Sequence, residues 1–346
     1  MKFNKLVSSS SLMLGLILAG CSNTETAGKT KEKNNKEPLT VYTTIYPLED
    51  FTQKIGGKFV EVKNIYPPNV DAHSYEPTTK DMVNLSNSDL FIYSGVGIEG
   101  FAEKASELLK KETVTVVKAG EGIHLIKSSH SHEHSHDKEE ENVDNEHHDD
   151  GHDHDAENEE SHDHEADEHH HGDLDPHVWL DPILAIELAT NIKTSLCELM
   201  PEHKTEFETN FNSLKSDLEK LDQEFKTTID SSKTKYLLVS HAAYGYWEKR
   251  YGIKQIAISG LSPTQEPTQK QLKEIVDESA VHNIRYVIFE QSASPKVATI
   301  IQNELGAKSL TLHNLESITD ENMKQKDDYF SIMRKNLETL KSALND

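Results

Sequence analysis

Residues 202–229 read EHKTEFETNFNSLKSDLEKLDQEFKTTI. Phe207, Phe211, Leu214, Leu218, Leu221, Phe225 and Ile229 recur here at intervals of four and three, which places them in one apolar stripe along a helix for about six turns. Pro201 stands where such a helix would open. A coiled-coil dimer can use a stripe of this kind, but the paired charges that would flank its seam are not evident. The spacing therefore predicts one long helix packed across domains, in a monomer.

The same rhythm flanks this helix on both sides. Upstream, from residue 39, LTVYTTIY, FVEVKNIY, DLFIYSG and TVTVVKAG are strand-like, and they alternate with the helical PLEDFTQKIGG, TTKDMVNLSN and FAEKASELLKK; DPILAIELATNIKTSLCELM then forms a further helix. Downstream, the strands KYLLVS, IKQIAIS, IRYVIFE and AKSLTLH alternate with HAAYGYWEKRYG, PTQKQLKEIVDESAVHN and PKVATIIQNELG, and the chain closes on a helix within DDYFSIMRKNLETLKSAL. Such alternation is that of α/β layers with mainly parallel sheets. The predicted organisation is an N-terminal α/β lobe over 39–200, a linking helix over 201–230 and a C-terminal α/β lobe over 231–346.

The formal charge of the 346-residue chain is −24, but residues 130–171 alone hold 18 acidic residues and one Lys, so −17 is local and −7 remains elsewhere. Without a basic stripe nothing neutralises phosphates, and nucleic acid is excluded as a partner. A cation is the natural one. The acidic segment also holds 13 histidines: His130, His132, His134, His136, His147, His148, His152, His154, His162, His164, His169, His170 and His171. With almost no apolar residues it cannot bury enough surface to offset its ordering entropy, so 128–172 is expected to be a disordered loop inserted in the first lobe. Its imidazoles, with an ordinary pKa of about 6.5, are mostly neutral at pH 7. They are expected to bind several zinc ions weakly, as a collector or sensor, and to lose them to protons below about pH 6.

The N-terminus carries MKFNK, then the short apolar LVSSSSLMLGLILAG, ending on Leu18-Ala19-Gly20-Cys21. This is the pattern of a lipoprotein signal peptide over 1–20, with lipid attached to the Cys21 thiol and a flexible polar tether over 21–38. The expected location is extracytoplasmic, anchored to the cell membrane. Cys197 is then the one remaining cysteine, which excludes an intrachain disulfide and a cysteine-based zinc site.

Three histidines outside the acidic segment occupy telling positions. His73 follows the strand VEVKNIY, His241 directly follows YLLVS, and His177 lies between the Asp-Pro pairs of DLDPHVWLDP, where an extended turn before a helix is expected. Glu290 ends IRYVIF. Ligands of open α/β sheets bind beyond the carboxyl ends of strands, and three imidazoles with one carboxylate make a tetrahedral set that suits zinc. Each has a plainer reading: a strand-end His is often only a satisfied polar residue, and Glu290 could cap the helix beginning near Pro295. Asp71, Glu76 and Asp175 are candidates to orient an imidazole through its second N–H.

The segments VDAHSYEPTTKD, DPHVWLDP, VSHAAYGYWEKRYG, GLSPTQEPTQKQLKEI and YVIFEQSASPKVA, occurring in this order, resemble the motifs of the zinc-binding receptor lipoproteins of bacterial ABC importers, the ZnuA/AdcA type. The likeness extends from residue 39 to about 345. It implies two (β/α) lobes bridged by a rigid backbone helix, and a metal site in the cleft between them. His73 and His177 would then bind from the N-terminal lobe and His241 and Glu290 from the C-terminal lobe. It further implies capture of Zn2+ and delivery to a membrane permease powered by a separate ATPase subunit; no G-x-x-x-x-G-K-[ST] motif occurs in this chain. Two rival readings are a secreted zinc hydrolase, whose H-E-x-x-H pattern is met here at His132–His136 inside the acidic histidine-rich segment, and a surface adhesin or metal buffer in which that segment does the work.

Overall fold

The computed structural model describes residues 37–128, 174–291 and 295–346. Cys21, the signal segment, the tether up to residue 36 and the thirteen histidines of the acidic segment lie outside the described residues.

The first half alternates as read: β1 (Leu39–Thr43), α1 (Tyr46–Gly56), β2 (Val60–Asn64), α2 (Thr79–Ser86), β3 (Leu90–Tyr93), α3 (Ala102–Leu109) and β4 (Thr115–Lys118), followed by α4 (Pro182–Leu199). The long helix is α5 (Lys204–Asp230). After it come β5 (Tyr236–His241), α6 (Gly245–Tyr251), β6 (Lys254–Ser259), α7 (Gln269–Val281), β7 (Tyr286–Glu290), α8 (Lys296–Leu305), β8 (Lys308–Leu312), α9 (Asp320–Gln325) and α10 (Tyr329–Ala343). Local chemistry sets many of the ends. Thr78 with Asp81, Thr268 with Gln271 and Asp328 with Ser331 form capping boxes that open α2, α7 and α10. Gly252 closes α6 in the left-handed conformation that a side chain disfavours.

Each half builds one four-stranded parallel sheet, in the orders β2-β1-β3-β4 and β6-β5-β7-β8. In both, the order reverses between the two central strands, and the crevice beyond their carboxyl ends is where an α/β sheet accepts a ligand.

Helix α5 has 27 residues, a length of about 40 Å at 1.5 Å per residue. Its buried face consists of Phe207, Leu214, Leu218, Leu221, Phe225 and Ile229, with Phe211 half-buried. Pro201 does not begin the α-helix itself: Pro201–His203 form a 3₁₀ turn first, and the His203 ring stacks on Phe59 at 3.8 Å. The helix packs against α1 and α4 of the first half and α6 and α10 of the second. One continuous apolar core consequently runs from Val41 and Phe51 through Leu218 and Phe225 to Trp247 and Val239. A smaller cluster, including Leu238, Ile275, Val287 and Ile301, fills the space between the second sheet and the α7/α8 side. The two lobes thus share apolar packing along the helix.

Candidate metal centre

Four side chains converge between the sheets. His73 lies in the loop after β2, where the Asp71 carboxylate accepts the His73 amide at 3.0 Å and the Ser74 hydroxyl at 2.7 Å. Asp71 therefore folds the turn and does not orient the ring, and Glu76 is exposed on the same loop. His177 precedes a single 3₁₀ turn, Val178–Leu180, where the sequence suggested an extended turn. Asp181 then caps α4 through the amides of Ile183 and Leu184. His241 is the last residue of β5. Glu316 stands in the loop after β8.

The ligand atoms of His73, His177, His241 and Glu316 all lie within 4.8 Å of one another. His241 Nε2 is 3.4 Å from His177 Nε2; Glu316 Oε1 is 3.4 Å from His73 Nε2 and 3.8 Å from His177 Nε2. A tetrahedral ion with bonds of 2.0–2.1 Å needs edges of about 3.3–3.4 Å, so these spacings are close to those of a four-ligand zinc cage. His73 Nε2 and Glu316 Oε1 are buried atoms without a hydrogen-bond partner. Such orphaned polar atoms are costly unless something else satisfies them, and a cation between them would. The side chains of His177 and His241 are fully buried, whereas that of His73 is 12% exposed, so the site meets solvent on the His73 side.

The fourth donor differs from the sequence expectation. Glu290 does not join the cluster; its carboxylate pairs with His241 Nδ1, on the side of the ring away from the other imidazoles. The register explains this. Leu238 and Val239 of β5 lie level with Val287 and Ile288 of β7, and two residues further on His241 lies level with Glu290. A carboxylate on the adjacent strand at the same height meets Nδ1, near the backbone, and leaves the Nε2 tip to the cavity. Glu290 is itself level with Leu312, so Glu316, four residues further along, stands above the sheet edge and inside the crevice. The signal for it was present: AKSLTLH is a strand running into a loop that contains a carboxylate, as IRYVIFE is.

The orienting contacts complete the geometry. Asp175 Oδ1 holds His177 Nδ1 at 2.8 Å and the His177 amide at 2.9 Å. With Nδ1–H directed at a carboxylate in both His177 and His241, each ring in its neutral form presents the Nε2 lone pair to the cavity. Burial pushes the His177 imidazole down towards the neutral form, against the pull of Asp175. Burial also acts to lower His241, but the carboxylates around it, Glu290 foremost with Glu316 and Asp175, together outweigh it and the imidazole is raised. Burial opposes charge on Glu316, yet the facing imidazoles of His73, His241 and His177 outweigh it and keep the carboxyl well below its usual range.

The segment carrying His177 belongs to the first half of the chain but is held by the second. The Tyr246 hydroxyl donates to the Asp175 carbonyl at 2.8 Å, Trp247 Nε1 to the Leu180 carbonyl at 2.7 Å and Arg250 Nε to Asp181 at 2.6 Å. From the other side, Tyr329 donates to the Trp179 carbonyl and Trp179 Nε1 to the Asn314 carbonyl, both at 2.7 Å. Polar atoms of α6, α10 and the β8 loop thus anchor His177 beside His241 and Glu316.

Two parallel α/β lobes fixed by one long helix around a buried, four-donor cation site are the architecture of a metal-receptor solute-binding protein. A model of the family described as zinc-uptake complex component A, periplasmic (ZnuA), matches residues 41–343, and the chain belongs to this family. It is 34% identical over 329 residues to the high-affinity zinc uptake system protein ZnuA of Bacillus subtilis (strain 168), which covers 95% of this chain and 94% of that protein. It is 33% identical over 331 residues to the zinc-binding lipoprotein AdcA of Streptococcus pneumoniae (strain ATCC BAA-255 / R6), covering 96% of this chain and 59% of that longer protein. Among solved structures, the Zn(II)-bound ZnuA-like domain of Streptococcus pneumoniae AdcA superposes with a TM-score of 0.68 at 30% identity, over 89% of this chain and 100% of that one.

Proposed function

We propose that this protein is a zinc receptor of an ABC importer: it captures one Zn2+ outside the cytoplasm through His73, His177, His241 and Glu316 and delivers it to a membrane permease driven by a separate ATPase subunit. The observation that carries this reading is the convergence of three Nε2 atoms and one carboxylate oxygen within 4.8 Å, two of those atoms being buried and otherwise unpartnered. Three imidazoles and a single carboxylate favour a borderline-soft ion; a harder ion such as manganese would want more oxygen. The site is not that of a hydrolase, because four protein donors leave no open position for an activated water.

Around this core we assign the remaining features as follows. Residues 39–200 and 231–346 are the two lobes and 201–230 the link; Cys21 is the lipid attachment point; the protein works as a monomer. Among the described residues no helix is long and apolar enough to cross a membrane. The histidine-rich segment collects zinc at low affinity beside the tight site. Calorimetric titration of the mature chain tests the central claim: one tightly bound Zn2+ per molecule is expected, and His177→Ala should abolish it. Tight binding that survives His177→Ala would refute the assigned site.

A further inference from the structure

Asn314, two residues before Glu316, bonds to the carboxylate of Glu290 and to the backbone of Glu316. Its Nδ2 donates to Glu290 Oε2 at 3.2 Å, and its Oδ1 accepts the Glu316 amide at 3.2 Å. A carboxylate can only accept and an amide N–H can only donate, so the orientation of the Asn314 side chain is dictated by its partners. Its backbone is equally fixed. The Asn314 carbonyl receives Trp179 Nε1, and the next residue, Leu315, is fully buried in a left-handed conformation (φ 60°) that a non-glycine residue adopts only when its surroundings enforce it. The Leu315 amide is in turn spent on His313 Nδ1 at 2.9 Å.

We infer that Asn314 is a positioning residue that divides labour between the two carboxylates, holding Glu290 as the orienter of His241 and Glu316 as the ligand. With Oε2 tied to Asn314, Glu290 turns Oε1 to His241 Nδ1 and is withheld from the ion. With its amide tied to the same side chain, Glu316 has its loop set for Oε1 to face His73 and His177. Among side chains of this size only an amide offers a donor and an acceptor in this arrangement: aspartate keeps the acceptor and loses the donor, and alanine loses both.

The inference rests on the zinc reading, and the test keeps the two apart. Zinc affinity is measured by competition with a chromophoric chelator, and the coordination geometry by the visible spectrum of the Co2+-loaded protein. The proteins compared are wild type, Asn314→Ala, Asn314→Asp, Glu290→Gln and the double variant Asn314→Ala/Glu290→Gln. Loss of an outer partner typically weakens metal binding about 10–100-fold, and that is expected for both Asn314 variants, with an altered cobalt band. In the Glu290→Gln background, Asn314→Ala should cost much less than it does alone, since the two act through one contact. Wild-type affinity in Asn314→Asp, or a change in Asn314→Ala confined to the thermal midpoint of the metal-free protein with zinc affinity and cobalt spectrum unmoved, would overturn the assignment. A wild-type protein without a tight zinc site would bring down the zinc reading and this inference together; a wild type that binds tightly beside unaffected variants brings down this inference alone.

Discussion

The amide of Ala72 donates to Oε2 of Glu316 at 3.1 Å, although 244 residues separate them in sequence. This bond joins the loop carrying His73 to the loop carrying the acidic donor. It occupies one carboxylate oxygen, and the other is left facing His73 and His177.

Glu316 and Glu290 should therefore respond differently to the same isosteric change. Glu316→Gln keeps an acceptor for Ala72 but removes the anionic donor, and zinc affinity is expected to fall by more than the 10–100-fold typical of an orienting residue. Glu290→Gln should remain within about that 10–100-fold range. Chelator competition on the two variants checks the ranking, and a larger loss in Glu290→Gln would return it to the ligand set.

Deleting residues 130–171 should leave the tight site intact while removing the weak ones. Lys127 and Leu174 pair as an antiparallel bridge, so the segment between them begins and ends at one place on the fold. After the deletion Ser128, Ser129, Gly172 and Asp173 remain to close the turn, a loop length common in hairpins. Titration calorimetry should lose its low-affinity phase only.

His313 makes the metal-free protein less stable in acid. Burial lowers its imidazole to about 4, while in the unfolded chain it titrates near its ordinary value of about 6.5. Between these values the unfolded state binds the extra proton, so stability rises with pH. The contribution is fully present above about pH 6.5 and is lost as pH falls towards 4, by at most on the order of 3 kcal/mol. Urea unfolding at pH 7 and pH 4.5 measures the drop, and His313→Gln should make it smaller.

On α5, Leu218→Ala is expected to cost about 2–5 kcal/mol because Leu218 is fully buried in the core running along the helix. Lys220→Ala, on the exposed face, should change stability by no more than about 0.5 kcal/mol. Equal effects in chemical denaturation would mean that the helix does not pack through this stripe.

Periodicity and strand-end position are local properties, and they are what the sequence by itself determined. The apolar spacing in 202–229 marks the long helix, the alternation on either side marks two parallel α/β lobes, and the positions of His73, His177 and His241 beyond or between regular elements mark three converging imidazoles. Which carboxylate completes the set was decided only in three dimensions. Glu290 and Glu316 both follow strands of one sheet, at the end of β7 and just beyond β8, and no local pattern separates them. The separation comes from the parallel register, which sets Glu290 level with His241 and on its Nδ1 side, and from the buried left-handed turn at Leu315 with the Ala72 amide, which carry Glu316 over the edge of the sheet to the imidazole tips. Register and long-range hydrogen bonds depend on pairings between distant segments: the first comes into existence only when the second sheet assembles, and the Ala72–Glu316 bond only when the two lobes pack.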